Sequence, residues 1–418
     1  MTLSNGSGSK DTGRGKDMRR SIRHPAAAGK GRRRFFRLTI LLFGMLGAAI
    51  LALARIPVPH DPPDLRLKAI RIFGPAPGAA DRAQNPVTLI GISPWMAAAD
   101  YRSAAAFEAK VEGYLEAAEA QGLMGPRSIV VLPEYFGTWL VAMDAPGQTF
   151  RAPSTGLAML PLIFAQPRAF RSALARSHER DRIAAAIFRM RSPAMAAAWQ
   201  DVFSRLARRH QVTIVAGSIV LEDPVVREGR LVTRPGQLYN VSGVFHADGR
   251  LDPALVRKVY PIPSETPFLA AAASEELPVF ETGFGRLGVL ICADSWYPDT
   301  FARLKAQGAE WIAVPSFLQP DGAWDRPWGG YLTKLPPDVD GSAAGSITEG
   351  EAWLRFALAG RFPASGAVAG INVFLKGELW GLGADGRTTA VIGASGIAVS
   401  PVADGADILA VRVATAQP

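Results

Sequence analysis

The chain has 418 residues, 48% hydrophobic and 20% charged, which is an ordinary globular balance with a slight apolar excess and enough length to bury a large core. Its net charge of +9 suggests nucleic acid or membrane as a partner until the charge is located, and residues 1–37 hold all of it, with eleven Lys/Arg against two acids. The remaining body is neutral and gives no support to a nucleic-acid surface, while the single cysteine, Cys292, excludes an internal disulfide and leaves the redox compartment open.

In chain order, residues 1–37 form a basic tail of Gly, Ser, Lys and Arg with too little apolar surface to order itself. Residues 38–54 follow as an uncharged apolar run, near the lower length limit for a single N-terminal hydrophobic helix that crosses a bilayer. Cations on its N-terminal side place that end in the cytoplasm and the body outside it, on the periplasmic side. Two outcomes fit: a retained membrane anchor, or an export signal cut after Ala52-Leu-Ala54. The stretch Gly31-Arg32-Arg33-Arg34-Phe35-Phe36-Arg37 also has the look of a twin-arginine export box. Retention in the membrane is the reading adopted. Residues 55–86 are rich in proline and glycine and read as a linker, and the globular body is expected over 87–405 with a short tail at 406–418.

Within the body, Val87–Ile92 reads as a first strand, and Ala104 to Ala120 as a helix on the spacing of Phe107, Val111, Leu115 and Ala118. Ser128–Leu132 is a second buried strand that ends on Glu134. Residues 144–198 read as a partly helical insertion, Trp199–Arg209 as an amphipathic helix, and Val212–Gly217 as a third strand. Asp248-Gly249 marks a hairpin turn. Beyond it lie strands at Leu287–Ile291, Trp311–Ser316, Val368–Phe374 and Ala390–Val399, interrupted by a Gly/Pro/Trp-rich excursion over 318–350 and a helix near Ala352. Helices and strands in this alternation predict layered α/β packing.

The cysteine sits at a strand-to-helix junction, Leu287-Gly-Val-Leu-Ile-Cys292-Ala293-Asp294-Ser-Trp296-Tyr297-Pro298-Asp299. A thiol just ahead of a helix N-terminus feels the positive end of its dipole, which favours the reactive thiolate. Two further boxes are distinctive: Leu-Pro133-Glu134-Tyr135-Phe136, and Arg257-Lys258-Val-Tyr260-Pro-Ile-Pro-Ser-Glu265. Together, in this order, the three resemble the glutamate, lysine and cysteine boxes of the nitrilase superfamily of carbon-nitrogen hydrolases.

That resemblance implies a four-layer αββα sandwich and an amidase-like enzyme acting on a small-molecule amide without a cofactor, as a homo-oligomer. It implies Glu134 as general base, Lys258 as the cation of the tetrahedral intermediate, with the backbone N–H of Ala293, and Cys292 as the nucleophile that carries a thioester. Glu265 matches a second glutamate that orients the lysine or the substrate. Tyr135, Trp139, Trp296 and Tyr297 are candidate pocket walls, and Trp296 stands where the family usually has arginine, which puts the charge of the substrate in doubt. Asp294 favours the amidase branch. Two alternatives stand beside hydrolysis: acyl transfer of the apolipoprotein N-acyltransferase type through the same triad, and a catalytically silent binding module of the same fold. Gly381-Leu-Gly383-Ala-Asp-Gly386 spells a dinucleotide fingerprint but precedes a strand and reads as a turn, and the five histidines show no metal-ligand spacing.

Overall fold

The computed structural model describes residues 63–74, 86–393 and 396–413. The anchor expected at 38–54 lies outside them. Among the described residues no helix is long and apolar enough to cross a membrane.

Two sheets form the centre. The first runs in the order β1 (Leu67–Phe73), β15 (Ala406–Val413), β2 (Val87–Ser93), β4 (Ser128–Val131), β5 (Thr213–Arg227), β6 (Arg230–Phe245), β7 (Val256–Arg257). The second runs β14 (Gly396–Val399), β13 (Thr389–Ile392), β11 (Ala369–Phe374), β10 (Trp311–Ser316), β9 (Arg286–Val289), β8 (Val279–Glu281). A small pair, β3 (Trp95–Ala97) with β12 (Lys376–Glu378), stands apart.

Alternation along the strands of the first sheet divides its faces. Val87, Leu89, Ile129, Val131 and Val215 join the second sheet's Ala313, Ile371 and Val373 in one core. Ile90, Ile92, Val130 and Ile214 turn the other way, onto helices α1 (Ala104–Ala120) and α4 (Arg182–His210). Behind the second sheet, Phe301 and Leu304 of α5 (Pro298–Ala306) and Leu358 and Phe362 of α7 (Leu358–Ser365) close the same core. The result is the expected order of helix, sheet, sheet, helix. Gly91 marks how closely the sheets approach, because a Cβ there would sit 2.6 Å from Ile371 Cδ1 and 2.9 Å from Val373 Cγ2.

Helix α1 has the expected limits because Ser103 caps it, its hydroxyl accepting from the Ala106 N–H at 3.1 Å. The insertion at 144–198 holds α2 (Thr155–Ala165), α3 (Pro167–Ala175) and the first half of α4. The excursion at 318–350 leads into α6 (Glu349–Phe356). Glycines 381, 383 and 386 all have positive φ, which fits the turn expected there.

Two boundary expectations are corrected. The stretch read as linker contributes β1, which pairs in parallel with β15, and the stretch read as tail supplies β15 over Ala406–Val413, paired antiparallel with β2 from Asp407↔Ser93 to Val413↔Val87. Seven of the eight residues of β15, all but Arg412, are buried, so the sheet needs this strand to shield its neighbours. Replacing Gly91 with valine forces methyl groups into β11, and urea unfolding should show a loss of about 1–3 kcal/mol.

Candidate active site

Glu134, Lys258 and Cys292 each follow the end of a strand, and the folded chain brings the three together at one end of the sandwich. Glu134 lies three residues past β4, Lys258 directly follows β7, and Cys292 lies three residues past β9. In α/β sheets the carboxyl ends of parallel strands are where loops leave the sheet and ligands are received.

The glutamate turn is locked onto β5. The Ser218 N–H donates to Pro133 O at 3.2 Å, the Gly137 N–H to Ser218 O at 2.9 Å, and the Tyr135 N–H to Ser218 Oγ at 2.8 Å. Tyr135 is held at φ +60°, and Gly217 at φ +67° passes so near that a Cβ would lie 2.2 Å from Pro133 O. Only glycine fits that crossing.

Lys258 is 1% exposed and is the hinge of the site. Its Nζ donates to Glu134 Oε1 and to Glu265 Oε2, both at 2.7 Å. Asn240 Nδ2 donates to the same two carboxylates, at 2.9 Å to Glu134 Oε1 and 3.2 Å to Glu265 Oε1. Glu265 also accepts from the Ile262 N–H at 2.7 Å and from the Tyr135 hydroxyl. Burial works to lower the Lys258 pKa, but the charges of Glu134 and Glu265 outweigh it and hold the ammonium charged, well above its ordinary range.

The two carboxylates separate in character. Burial pushes Glu134 up, against the pull of Lys258 and with a further push from the Glu265 charge. For Glu265 burial also pushes up, but Lys258, Tyr135 and the Ile262 N–H prevail and hold it below the ordinary carboxylate range. One carboxylate is poised to take a proton while its neighbour stays an anion.

Cys292 opens a five-residue 3-10 turn, Cys292–Trp296, with φ +52°, and its Sγ lies 3.9 Å from Phe317 O. The dipole expectation is corrected here: the helix begins at Pro298 as expected, but burial, with the Glu134 charge next, drives the thiol pKa well above its ordinary value despite Lys258. A thiol so raised favours its protonated form, and Glu134 is the carboxylate beside it.

Asp294 ties the lysine loop to the cysteine turn. Fully buried, it accepts from the N–H groups of Val259 (3.0 Å), Tyr260 (2.8 Å) and Ile291 (3.2 Å). Burial raises it to about 7 despite these donors and the nearby Lys258.

A cavity of about 820 Å³ opens onto Glu134 and Cys292. Tyr135, Trp139, Ala293, Trp296 and Tyr297 all line it, as the sequence reading expected of the four aromatic residues. Trp296 sits in an aromatic cluster, its ring centroid 6.0 Å from Trp328, 5.5 Å from Tyr331 and 4.9 Å from Trp353. Both insertions supply walls: Met159, Ile163 and Ile187 from the first, Trp328, Tyr331 and Leu332 from the second. Among the described residues that line the cavity none is lysine or arginine, and the charged ones are Glu134, Asp181 and Glu349. No group of side chains among the described residues could hold a metal ion.

Asn240, Ser218 and the bridging role of Asp294 escaped the sequence reading. The one signal for Asn240 is an amide side chain in a mostly apolar strand segment, Asn240-Val-Ser-Gly-Val-Phe245.

A buried cation held between two carboxylates, with a thiol beside them at the strand ends of a two-sheet sandwich, is the candidate active site. The carbon-nitrogen hydrolase profile matches residues 87–329, and the chain belongs to that family. It is similar to the deaminated glutathione amidase of Synechocystis sp. (strain PCC 6803 / GT-S), at 30% identity over 132 residues, 29% of this chain and 45% of the relative. It is also similar to a probable hydrolase of Bacillus subtilis (strain 168), at 28% identity over 116 residues, 28% of this chain and 20% of the relative. The chain thus spans less than half the length of these curated relatives. A solved mutant of the Nesterenkonia AN1 amidase aligns with a TM-score of 0.47 and 16% identity, covering 78% of this chain and 92% of the other.

Replacing Lys258 with methionine leaves Glu134 and Glu265 buried without their cation, a loss of roughly 3–5 kcal/mol at neutral pH. Both carboxyls then bind protons more tightly folded than unfolded, so the deficit should shrink as pH falls. Urea unfolding at about pH 8 and about pH 5 checks this, with the smaller difference from wild type at the acidic pH.

Proposed function

We propose that the protein hydrolyses the C–N bond of a small amide through a thioester on Cys292. The observation that carries this reading is the double grip of Lys258 on Glu134 and Glu265, at 2.7 Å each, with the protonated Cys292 thiol under the field of the same pair.

The steps follow from the protonation states. Glu134 takes the thiol proton as sulfur attacks the carbonyl carbon, and the Lys258 ammonium with the Ala293 N–H holds the negative oxygen that develops. Collapse expels the amine, which receives the proton back from Glu134. Water then attacks the thioester, again giving its proton to Glu134, and releases the acid and the thiol. Glu265 keeps Lys258 charged and aimed. The lack of lysine and arginine among the described cavity-lining residues, with Trp296 in place of an arginine, supports a neutral or cationic acyl portion over an anionic one. The basic tail and the apolar run at 38–54 support a body held outside the cytoplasm on a membrane anchor.

Acyl transfer to an amine uses the same first half-reaction, and the size and apolar lining of the cavity favour it as the second reading. Mass spectrometry after incubation with a panel of amides decides between them. An acyl adduct on Cys292 with the acid and the free amine as products is expected; an acylated acceptor amine as product supports transfer, and no adduct from any acyl donor would overturn both. Glu134→Gln should lower kcat/KM by about 10²–10⁴.

A further inference from the structure

The mouth of the cavity carries an unusual surface. Leu160, Ile183 and Leu332 line the cavity and are nevertheless 44%, 59% and 62% exposed. Leu157 and Phe164, 52% and 56% exposed, continue the same face of α2, one turn on either side of Leu160, and Leu335 is exposed at 41% just past Leu332. Large apolar side chains scattered singly on a surface need no explanation, whereas three at one opening with three more adjoining them in the chain mark a docking surface.

Cations adjoin these residues in the chain. Arg168 and Arg171 of α3, a helix that starts three residues after Phe164, are exposed, and Lys334 is exposed between Leu332 and Leu335. None of the three forms an ion pair among the described residues. Of the acids near them in the chain, Glu179 pairs with Arg189 and Asp338 with Arg361, while Asp181 accepts from the Ala184 N–H at 3.0 Å and Asp340 from the Ser342 N–H at 2.9 Å. Exposed leucine and phenylalanine accompanied by arginine and lysine outside any ion pair is the pattern of an element that lies in the headgroup layer of an anionic bilayer.

We propose that α2, α3 and the Leu332–Leu335 loop dock on an anionic lipid bilayer, so that the cavity opens towards the membrane. An amphiphile could then enter from the lipid phase, its apolar part against the cavity wall and its amide advancing to Cys292. The docking surface belongs to the body and stands independently of the anchor proposed at 38–54 and of the chemistry proposed for Cys292.

The test uses the full chain with Cys292→Ser and one new cysteine at a time, Leu160→Cys, Phe164→Cys, Leu332→Cys, or Glu281→Cys as control, each carrying a bimane fluorophore. Proteins are mixed with vesicles of phosphatidylcholine and phosphatidylglycerol containing a doxyl-labelled lipid as quencher. Quenching at 160, 164 and 332 but not at 281 is expected. It should weaken when phosphatidylglycerol is omitted, and when Arg168→Gln and Arg171→Gln are introduced, by about fivefold in docking for each arginine. Three results would overturn the proposal: no association with vesicles, association with the rim labels still in water, and shielding of the rim labels without lipid as protein concentration rises. The last would assign the surface to a second copy of the chain. Fluorescence reports docking whether or not the protein turns over an amide.

Discussion

One ammonium group sets the terms for the rest of the molecule. Lys258 lies 1% exposed between two carboxylates, and a charge so placed is tolerated only when its partners are fixed before it arrives. The surrounding structure does that fixing: β5 holds the Glu134 turn through Ser218, the Ile262 N–H and the Tyr135 hydroxyl hold Glu265, and Asn240 spans both. Such an arrangement is a poor source of stability compared with packed hydrocarbon, and its value lies in presenting a base, a cation and a thiol already oriented. The positive φ of Tyr135 and Cys292 fits this division, because backbone strain persists where the surrounding fold over-determines it.

Asp294 extends the same logic across the sandwich. Lys258 belongs to the edge of the first sheet and Cys292 to the end of a strand of the second, so the two would drift independently without a tie. Three backbone N–H groups, two from the lysine loop and one from the cysteine turn, converge on that one carboxylate. The catalytic geometry is therefore a property of the sheet-to-sheet contact, and the tight approach at Gly91 belongs to the same alignment.

What could be read from the amino-acid sequence divides along the range of the forces involved. Helix α1 was legible to the residue, since its cap and apolar period are local. Glu134, Lys258 and Cys292 were legible because short boxes surround each of them. Strands β1 and β15 were not: Leu67-Lys-Ala-Ile-Arg-Ile-Phe73 lies between proline-rich stretches, and its partner is more than 300 residues away, so nothing local announces the pairing. Asn240 and Ser218 act only through partners distant in the chain, and a lone polar residue in an apolar strand does not name its partner. The reactivity of the thiol was misjudged for a related reason. A dipole argument follows from sequence order, whereas burial and the charge of Glu134 follow from the fold.

The central claim is that Glu134 is the immediate proton acceptor for a thiol that burial keeps protonated, and the alkylation rate of Cys292 by iodoacetamide as a function of pH tests it most directly. The account predicts a rate that rises through the elevated titration of Glu134, then levels off, and loses this plateau in Glu134→Gln. A single rise at the ordinary thiol range of about 8.5, identical in wild type and Glu134→Gln, would contradict it.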